Sequence, residues 1–132
     1  MAPHSPVTIL IVDDEPSLVR ALVIALGRDG YKVESADNGQ SALEIIALCR
    51  YDVILCDLRM PELDGSAFYS CLLHQYPSLQ RKVIFFTGDT LSAESMVFLE
   101  QCGQPWVPKP CNLADVRSAI QQVLHTAEGA EH

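Results

Sequence analysis

Basic residues are scarce in this chain. Lysine and arginine together number 9 against 17 aspartates and glutamates in 132 residues, which gives a formal charge of −8. A surface that binds nucleic-acid phosphates needs clustered lysines and arginines. We therefore expect no direct contact between this protein and nucleic acid.

Long apolar runs are also missing. No run approaches the roughly 20 apolar residues that span a bilayer, and residues 1–6 lack the basic and apolar regions of a signal peptide. The five cysteines are an odd number without a CxxC pair, so neither a disulfide framework nor a cysteine zinc site is indicated. These absences favour a cytoplasmic protein with reduced thiols and no membrane segment.

The sequence does have the composition of one globular domain. Apolar residues make up 48% and charged residues 20% of the chain, a balance typical of a folded protein. Its length suits one hydrophobic core and is short for two. We expect the domain to span residues 8–126, with tails at residues 1–7 and 127–132.

Strands and helices are predicted to alternate. Apolar runs rich in β-branched and aromatic residues predict buried parallel strands at residues 8–12, 53–56 and 83–86. Two weaker strands are also predicted. Residues 31–36 alternate apolar and polar residues, as a strand nearer the sheet edge would, and residues 106–107 lie between two prolines, so that strand should be short and at the sheet edge. Helical spacing follows each strand, at residues 17–28, 40–49, 66–76, 92–101 and 112–126, the last capped by Asn112. This alternation predicts an α/β fold, with a parallel sheet and helices on both faces.

Polar residues stand at the ends of four predicted strands. Asp13, Asp14 and Glu15 follow the first strand, Asp57 the third, Thr87 the fourth and Lys109 the fifth. Each has an ordinary explanation when taken singly, such as a helix cap or a solvated ammonium. Because function in such sheets lies at the carboxyl ends of the strands, the combination predicts a single site.

The predicted site contains more negative than positive charge. Three carboxylates facing one ammonium are unfavourable unless a cation also binds. The atoms at this site that could bind a metal are oxygens. The thiol of Cys56 should point away from the side chain of Asp57, because neighbouring residues of a strand face opposite sides of the sheet. Such donors favour Mg²⁺ over Zn²⁺. With the metal present, Asp57 can attack phosphorus while Lys109 and the hydroxyl of Thr87 contact the phosphoryl oxygens.

Four motifs in this sequence resemble those of the receiver domains found in response regulators and hybrid sensor histidine kinases. They are ILIVDDEP at residues 9–16, DLRMPELDG at residues 57–65, TGD at residues 87–89 and KP at residues 109–110. Their order and spacing agree with the family over residues 8–125, and four motifs in register are far more specific than the acidic pair alone. The stretch GQPWVPKP at residues 103–110 is closer to the receivers of hybrid kinases than to those of transcription factors.

The resemblance implies a flavodoxin-like (βα)5 fold with strand order 2-1-3-4-5. It also implies that Asp57 accepts the phosphoryl group and that Asp13 and Asp14 form the acidic pair that binds Mg²⁺, with Asp14 the more direct ligand. The backbone carbonyl of Arg59 would complete the protein's share of the metal shell.

The resemblance assigns the remaining polar groups as well. Thr87 would be the switch hydroxyl and Lys109 the cation that binds the phosphoryl group. The peptide bond between Lys109 and Pro110 would be cis, as is common in the family.

The resemblance further implies a signalling partner rather than a free substrate. The phosphoryl donor would be a histidine kinase or a histidine phosphotransfer protein, and the domain would catalyse only its own phosphorylation and slow dephosphorylation. Phosphorylation would change partner binding, with a homodimer surface on the face of helix four, strand five and helix five. The first helix is either a docking surface for the kinase or more deeply buried, and the sequence leaves both open.

Two positions depart from the family pattern. Trp106 stands where related receivers carry Tyr or Phe, so a coupled Thr87–Trp106 switch and plain packing of the ring both stay open. Cys111 stands where Phe is common, and a small apolar substitution is favoured over a redox role. Arg59 and Asp89 occupy positions that line the mouth of the site in the family and influence hydrolysis of the phosphoryl group.

Two other functions fit parts of the sequence. A pseudo-receiver that recruits partners without phosphorylation would keep the fold, but the retention of every acidic, hydroxyl and lysine position argues against it. A phosphohydrolase acting on free substrates would need a general acid and a substrate pocket. The four histidines offer no clear candidate, since they lie on the tails or on predicted helices.

Overall fold

Five strands alternate with five α-helices in the computed structural model, which describes residues 6–60, 63–88, 92–110 and 112–130. The strands are β1 (Thr8–Val12), β2 (Lys32–Ala36), β3 (Val53–Asp57), β4 (Val83–Thr87) and β5 (Trp106–Pro108). The helices are α1 (Pro16–Arg28), α2 (Gly39–Leu48), α3 (Gly65–Gln75), α4 (Ala93–Cys102) and α5 (Leu113–Ala130). A 3-10 helix, Pro77–Lys82, joins α3 to β4 and was not predicted.

All neighbouring strands are parallel, in the order β2-β1-β3-β4-β5. This confirms the predicted flavodoxin-like topology. The two weaker strands lie at the edges, as predicted, and β5 has only three residues. Pro105 and Pro108 explain its brevity, because proline has no N–H to donate to a sheet. The register pairs Asp57 with Phe86 and Thr87 with Pro108, so the strand ends that carry the predicted site lie side by side.

The sheet separates two hydrophobic cores. Along β1, Leu10 and Val12 face the core under α2, α3 and α4, whereas Ile9 and Ile11 face the core under α1 and α5. Every residue of β3 and β4 is buried, which agrees with their apolar sequences. The predicted arrangement of helices on both faces is therefore confirmed.

Polar side chains cap the N-termini of four of the helices. Asn38, Asp64 and Ser92 accept hydrogen bonds from the backbone N–H groups of Ser41, Ala67 and Ser95 at 2.8, 2.9 and 3.1 Å. Asn112 accepts from the N–H of Ala114 at 2.8 Å, as its predicted capping role requires.

The last helix continues to Ala130, whereas the sequence pattern predicted its end at residue 126. The alanines among its final residues favour helix and extend it beyond the apolar stripe. None of the helices in the described residues combines the length and the hydrophobicity that a transmembrane span requires.

Candidate functional site

The carboxyl edge of the sheet brings the predicted polar residues together. Asp57 is the last residue of β3 and Thr87 the last of β4, while Asp13 and Asp14 follow β1 and Lys109 follows β5. Carboxylate oxygens of the three aspartates lie within 4.8 Å of one another. Asp13 and Asp57 are buried, whereas Asp14 is exposed at the mouth of the cluster.

The ammonium of Lys109 lies among these carboxylates. Its Nζ is 3.0 Å from Oδ2 of Asp13 and 3.2 Å from Oδ2 of Asp57. Glu15 also approaches, with Oε2 3.8 Å from Nζ, although more than half of its side chain is exposed. The sequence places Glu15 at this sheet edge, directly after the acidic pair, but gives it no chemical role.

The carboxylate of Asp57 is held on both oxygens. Oδ1 accepts a hydrogen bond from the backbone N–H of Arg59 at 3.1 Å, and Oδ2 accepts one from Nζ of Lys109 at 3.2 Å. The amide of Arg59 thus lies against the predicted acceptor, while its carbonyl stays a predicted metal ligand. The peptide bond between Lys109 and Pro110 is cis, which confirms the prediction.

Burial and the neighbouring charges act in opposite directions on the predicted acceptor. Burial raises the pKa of Asp57, and the nearby carboxylate of Asp13 raises it further. Lys109 and the N–H of Arg59 oppose these effects, yet the net pKa shift of Asp57 is upward. Burial lowers the pKa of Lys109, but the neighbouring carboxylates of Asp13 and Asp57 raise it by more, so the net direction is upward. A single ammonium therefore leaves the carboxylates incompletely neutralised.

Two buried oxygens at the site have no hydrogen-bond partner in the described part of the chain: Oγ1 of Thr87 and Oδ2 of Asp13. Oδ2 of Asp13 still forms an ion pair with Nζ of Lys109 at 3.0 Å, but this contact does not have the geometry of a hydrogen bond. Buried polar atoms are normally satisfied, and an unsatisfied one costs free energy. The hydroxyl of Thr87 can donate to an incoming oxygen, and Oδ2 of Asp13 can accept a bond or bind a cation.

The donor set suits a hard divalent cation. The three clustered carboxylates supply oxygens, which Mg²⁺ prefers. Cys56 is fully buried in the core under α2, α3 and α4, and its thiol lies 3.3 Å from the backbone carbonyl of Asp57. Burial raises the pKa of Cys56 well above its usual value, and the charge of Asp57 adds to the effect, so the thiol stays neutral. It points away from the cluster, as predicted.

Other predicted residues lie at the margin of the site. The side chain of Trp106 is on β5, and the residue is 41% exposed. Arg59 is exposed at the end of the short segment after β3. Asp89 and Cys111 lie outside the described residues.

Known proteins resemble this chain over most of its length. The sequence pattern of the response regulator receiver domain matches residues 9–121. The regulatory protein AtoC of Escherichia coli K12 is 36% identical over 118 residues, covering 88% of this chain and 25% of AtoC. The match covers only 28% to 52% of the length of other curated relatives.

Solved structures agree with the fold. A signal receiver domain of a signal transduction histidine kinase from Syntrophus aciditrophicus is 33% identical, with a TM-score of 0.80 and coverage of 90% of each chain. A CheY-like response regulator receiver domain protein from Methanospirillum hungatei is 28% identical, with a TM-score of 0.86, and the match covers 96% of this chain and 99% of that one.

Proposed function

Because the chain belongs to the response regulator receiver domain family, as its four motifs predicted, we propose that it accepts a phosphoryl group on Asp57 in a Mg²⁺-dependent two-component phosphorelay. The observation that carries this proposal is the convergence of three carboxylates on one ammonium, with Nζ of Lys109 3.2 Å from Asp57. The unpartnered hydroxyl of Thr87 supplies a donor at the same sheet edge.

Four groups would hold the metal: the carboxylates of Asp13, Asp14 and Asp57 and the backbone carbonyl of Arg59. When bound, Mg²⁺ offsets the excess of carboxylate charge and neutralises phosphoryl oxygens. The hard oxygen donors of the cluster support this assignment over zinc.

The side chains of this protein have separate tasks in the transfer. A carboxylate oxygen of Asp57 forms a bond to phosphorus as the bond from phosphorus to the donor's histidine nitrogen breaks. Lys109 then exchanges its contact with Asp57 for one with a phosphoryl oxygen. The hydroxyl of Thr87 donates its hydrogen bond to another phosphoryl oxygen and so satisfies an atom that is otherwise unpaired.

The donor in this proposal is a histidine kinase or a histidine phosphotransfer protein in the cytoplasm. The likeness of the whole chain to a solved receiver of a histidine kinase, 33% identical, agrees with the hybrid-kinase type that residues 103–110 resemble. We place the domain at residues 8–126 and regard it as a switch that acts on itself rather than an enzyme with free substrates.

Two surfaces are available for partners. On α1, Leu22 and Leu26 are buried while Ile24 is 50% exposed, which supports a docking role for the outer face of this helix. A second surface lies on α4 and β5, where Met96, Val97 and Trp106 are exposed. This second face is our candidate for phosphorylation-dependent contacts, including a homodimer, with Trp106 either part of the Thr87 switch or simply packed there.

The acceptor assignment is tested by intact mass spectrometry. The native chain, Asp57→Asn and Asp115→Asn are incubated with phosphoramidate and Mg²⁺, and a parallel set contains EDTA. Asp115 is an exposed carboxylate at the start of α5 and serves as the matched control. We expect one added phosphoryl group on the native chain and on Asp115→Asn, but none on Asp57→Asn or with EDTA. No gain on the native chain, with the same donor active on another receiver, would favour the phosphorylation-independent pseudo-receiver.

A further inference from the structure

Gly65, the first residue of α3, packs against the backbone at the end of β3. A Cβ atom added to Gly65 would lie 2.7 Å from the carbonyl oxygen of Asp57 and 2.7 Å from Cα of Leu58. It would also lie 3.1 Å from the carbonyl oxygen of Leu58. Real Cβ atoms essentially never come closer than 3.0 Å to such atoms. Any side chain at this position would therefore displace α3, the end of β3, or both.

Glycine is needed here for space rather than for backbone conformation. In the described part of the chain, the glycines with positive φ are Gly30 and Gly103. Gly65 is a helical residue, and its backbone is one that alanine can adopt. The close approach to Asp57 and Leu58 is what excludes a methyl group.

Both sides of this contact are fixed by the fold. The N–H of Gly65 donates to the carbonyl oxygen of Leu58 at 2.9 Å, and the N–H of Leu58 donates to the carbonyl oxygen of Phe86 on β4, also at 2.9 Å. Phe68 and Leu72 anchor α3 in the core with no exposed surface. Close-packed interiors transmit such a displacement instead of absorbing it.

The displaced backbone would be that of the proposed acceptor. Asp57 belongs to β3, and the N–H of Arg59, two residues later, holds its Oδ1. Lys109 follows β5 and donates to Oδ2 of Asp57, so a shift of β3 would change the distance between Lys109 and Asp57. The same shift would move Asp57 relative to Asp13, which follows β1.

We propose that Gly65 is a positioning residue for phosphoryl transfer. Its lack of a side chain lets the first turn of α3 lie directly against the end of β3, and this contact sets the position of the Asp57 carboxylate relative to Lys109 and the acidic pair. The proposal rests on the proposed function of Asp57.

Gly39 provides a matched control within the same chain. It is the first residue of α2, follows the capping residue Asn38, and is buried like Gly65. A Cβ on Gly39 would meet Cδ2 of Leu63 at 3.0 Å and the carbonyl oxygen of Leu63 at 3.2 Å. The closest of these atoms is the far end of a flexible side chain, which can move away. Gly39→Ala therefore adds the same methyl group without pressing on the backbone of Asp57.

The experiment compares Gly65→Ala with Gly39→Ala and with Leu72→Ala. Leu72→Ala leaves a cavity in the same helix and controls for loss of stability alone. The Kd for Mg²⁺ is measured by isothermal titration calorimetry, and phosphorylation is followed by mass at several phosphoramidate concentrations. For Gly65→Ala we expect Mg²⁺ binding weaker on the order of tenfold and a maximal phosphorylation rate lower by about a hundredfold. The donor concentration at half-maximal rate should stay unchanged, and both controls should keep the native Mg²⁺ affinity.

The folded state of each variant is checked by circular dichroism at the temperature of the assay. If Gly65→Ala alone does not fold, it is combined with Gly27→Ala, whose Cβ has nothing within 4 Å and which removes a glycine from the last turn of α1. A folded Gly65→Ala protein with native Mg²⁺ affinity and a native rate would overturn the proposal. So would an equal loss in Leu72→Ala. If the native chain itself neither binds Mg²⁺ nor accepts a phosphoryl group, the proposed function fails first and this inference fails with it.

Discussion

Nζ of Lys109 lies 3.0 Å from Oδ2 of Asp13, an oxygen that is buried and accepts no hydrogen bond from the described part of the chain. The same ammonium also serves Asp57 at 3.2 Å. One cation is thus shared between two buried carboxylates, with a third carboxylate, that of Asp14, beside them. These residues together carry more negative than positive charge, so we expect the cluster to respond to a divalent cation.

We expect Mg²⁺ to stabilise the fold by binding at this cluster. A ligand that binds only the folded state, present at a free concentration of about 100 times its Kd, adds roughly 2.7 kcal/mol to the free energy of unfolding. Thermal unfolding with Mg²⁺ and with EDTA measures the shift in Tm. Asp14→Asn should reduce the shift, whereas Glu44→Gln, an exposed carboxylate on α2, should leave it unchanged. A Tm that does not respond to Mg²⁺ in the native chain would contradict the metal assignment.

Replacement of Thr87 by Val should separate stability from phosphoryl transfer. The hydroxyl is buried without a partner, so its removal should leave the free energy of unfolding unchanged or raise it by about 1 kcal/mol. Phosphorylation should slow by roughly tenfold, because one hydrogen bond to a charged phosphoryl oxygen is lost. Thr87→Ser keeps the hydroxyl and should retain most of the rate. Urea unfolding and the phosphorylation assay measure the two effects, and a large loss of stability in Thr87→Val would refute the role assigned to its hydroxyl.

Tyr69 should make the stability of the protein sensitive to alkaline pH. Burial raises the pKa of Tyr69 to about 12, and the nearby Cys102 adds to the effect. Its phenol also donates a hydrogen bond to the carbonyl oxygen of Gln80 at 3.1 Å. Because the folded-state pKa is raised from 10.0, the stabilisation is fully present below pH 10 and is lost as the pH rises through 12.

The measurement compares urea unfolding of the native chain and of Tyr69→Phe across this pH range. The difference in unfolding free energy between the two proteins should be constant below pH 10 and should change in favour of Tyr69→Phe above it. Equal pH dependence in both proteins would show that the phenol of Tyr69 does not titrate with the fold.

Replacement of Trp106 by Ala should leave phosphorylation intact. The residue is 41% exposed, and the clustered carboxylates and their ammonium belong to other residues. Phosphorylation of Trp106→Ala should reach the native extent, measured by intact mass. Partner binding or self-association after phosphorylation is the property that should change if the ring belongs to the switch. Loss of phosphorylation itself would contradict this division of roles.

Some parts of the fold follow directly from local sequence. The pattern predicted the bounds of β1, residues 8–12, without error. The run is rich in β-branched residues, which favour a strand, and the sequence changes from apolar to charged at Asp13. The 3-10 helix at Pro77–Lys82 was missed because such helices have no apolar periodicity long enough to recognise. The helical extension to Ala130 was missed for the related reason that its final residues continue no apolar stripe.

The sequence alone determined which residues could form the site, since motif order named both acidic residues after β1, Asp57, Thr87 and Lys109. Tertiary structure decided how those groups meet. Asp57 and Lys109 are 52 positions apart in the chain, and only the pairing of β3 with β4 and of β4 with β5 brings them to 3.2 Å. The isolation of the Thr87 hydroxyl, the approach of Glu15 and the contact of Gly65 with Asp57 are likewise products of packing. Local patterns encode residue type and periodicity, whereas distances between strands depend on the whole folded core.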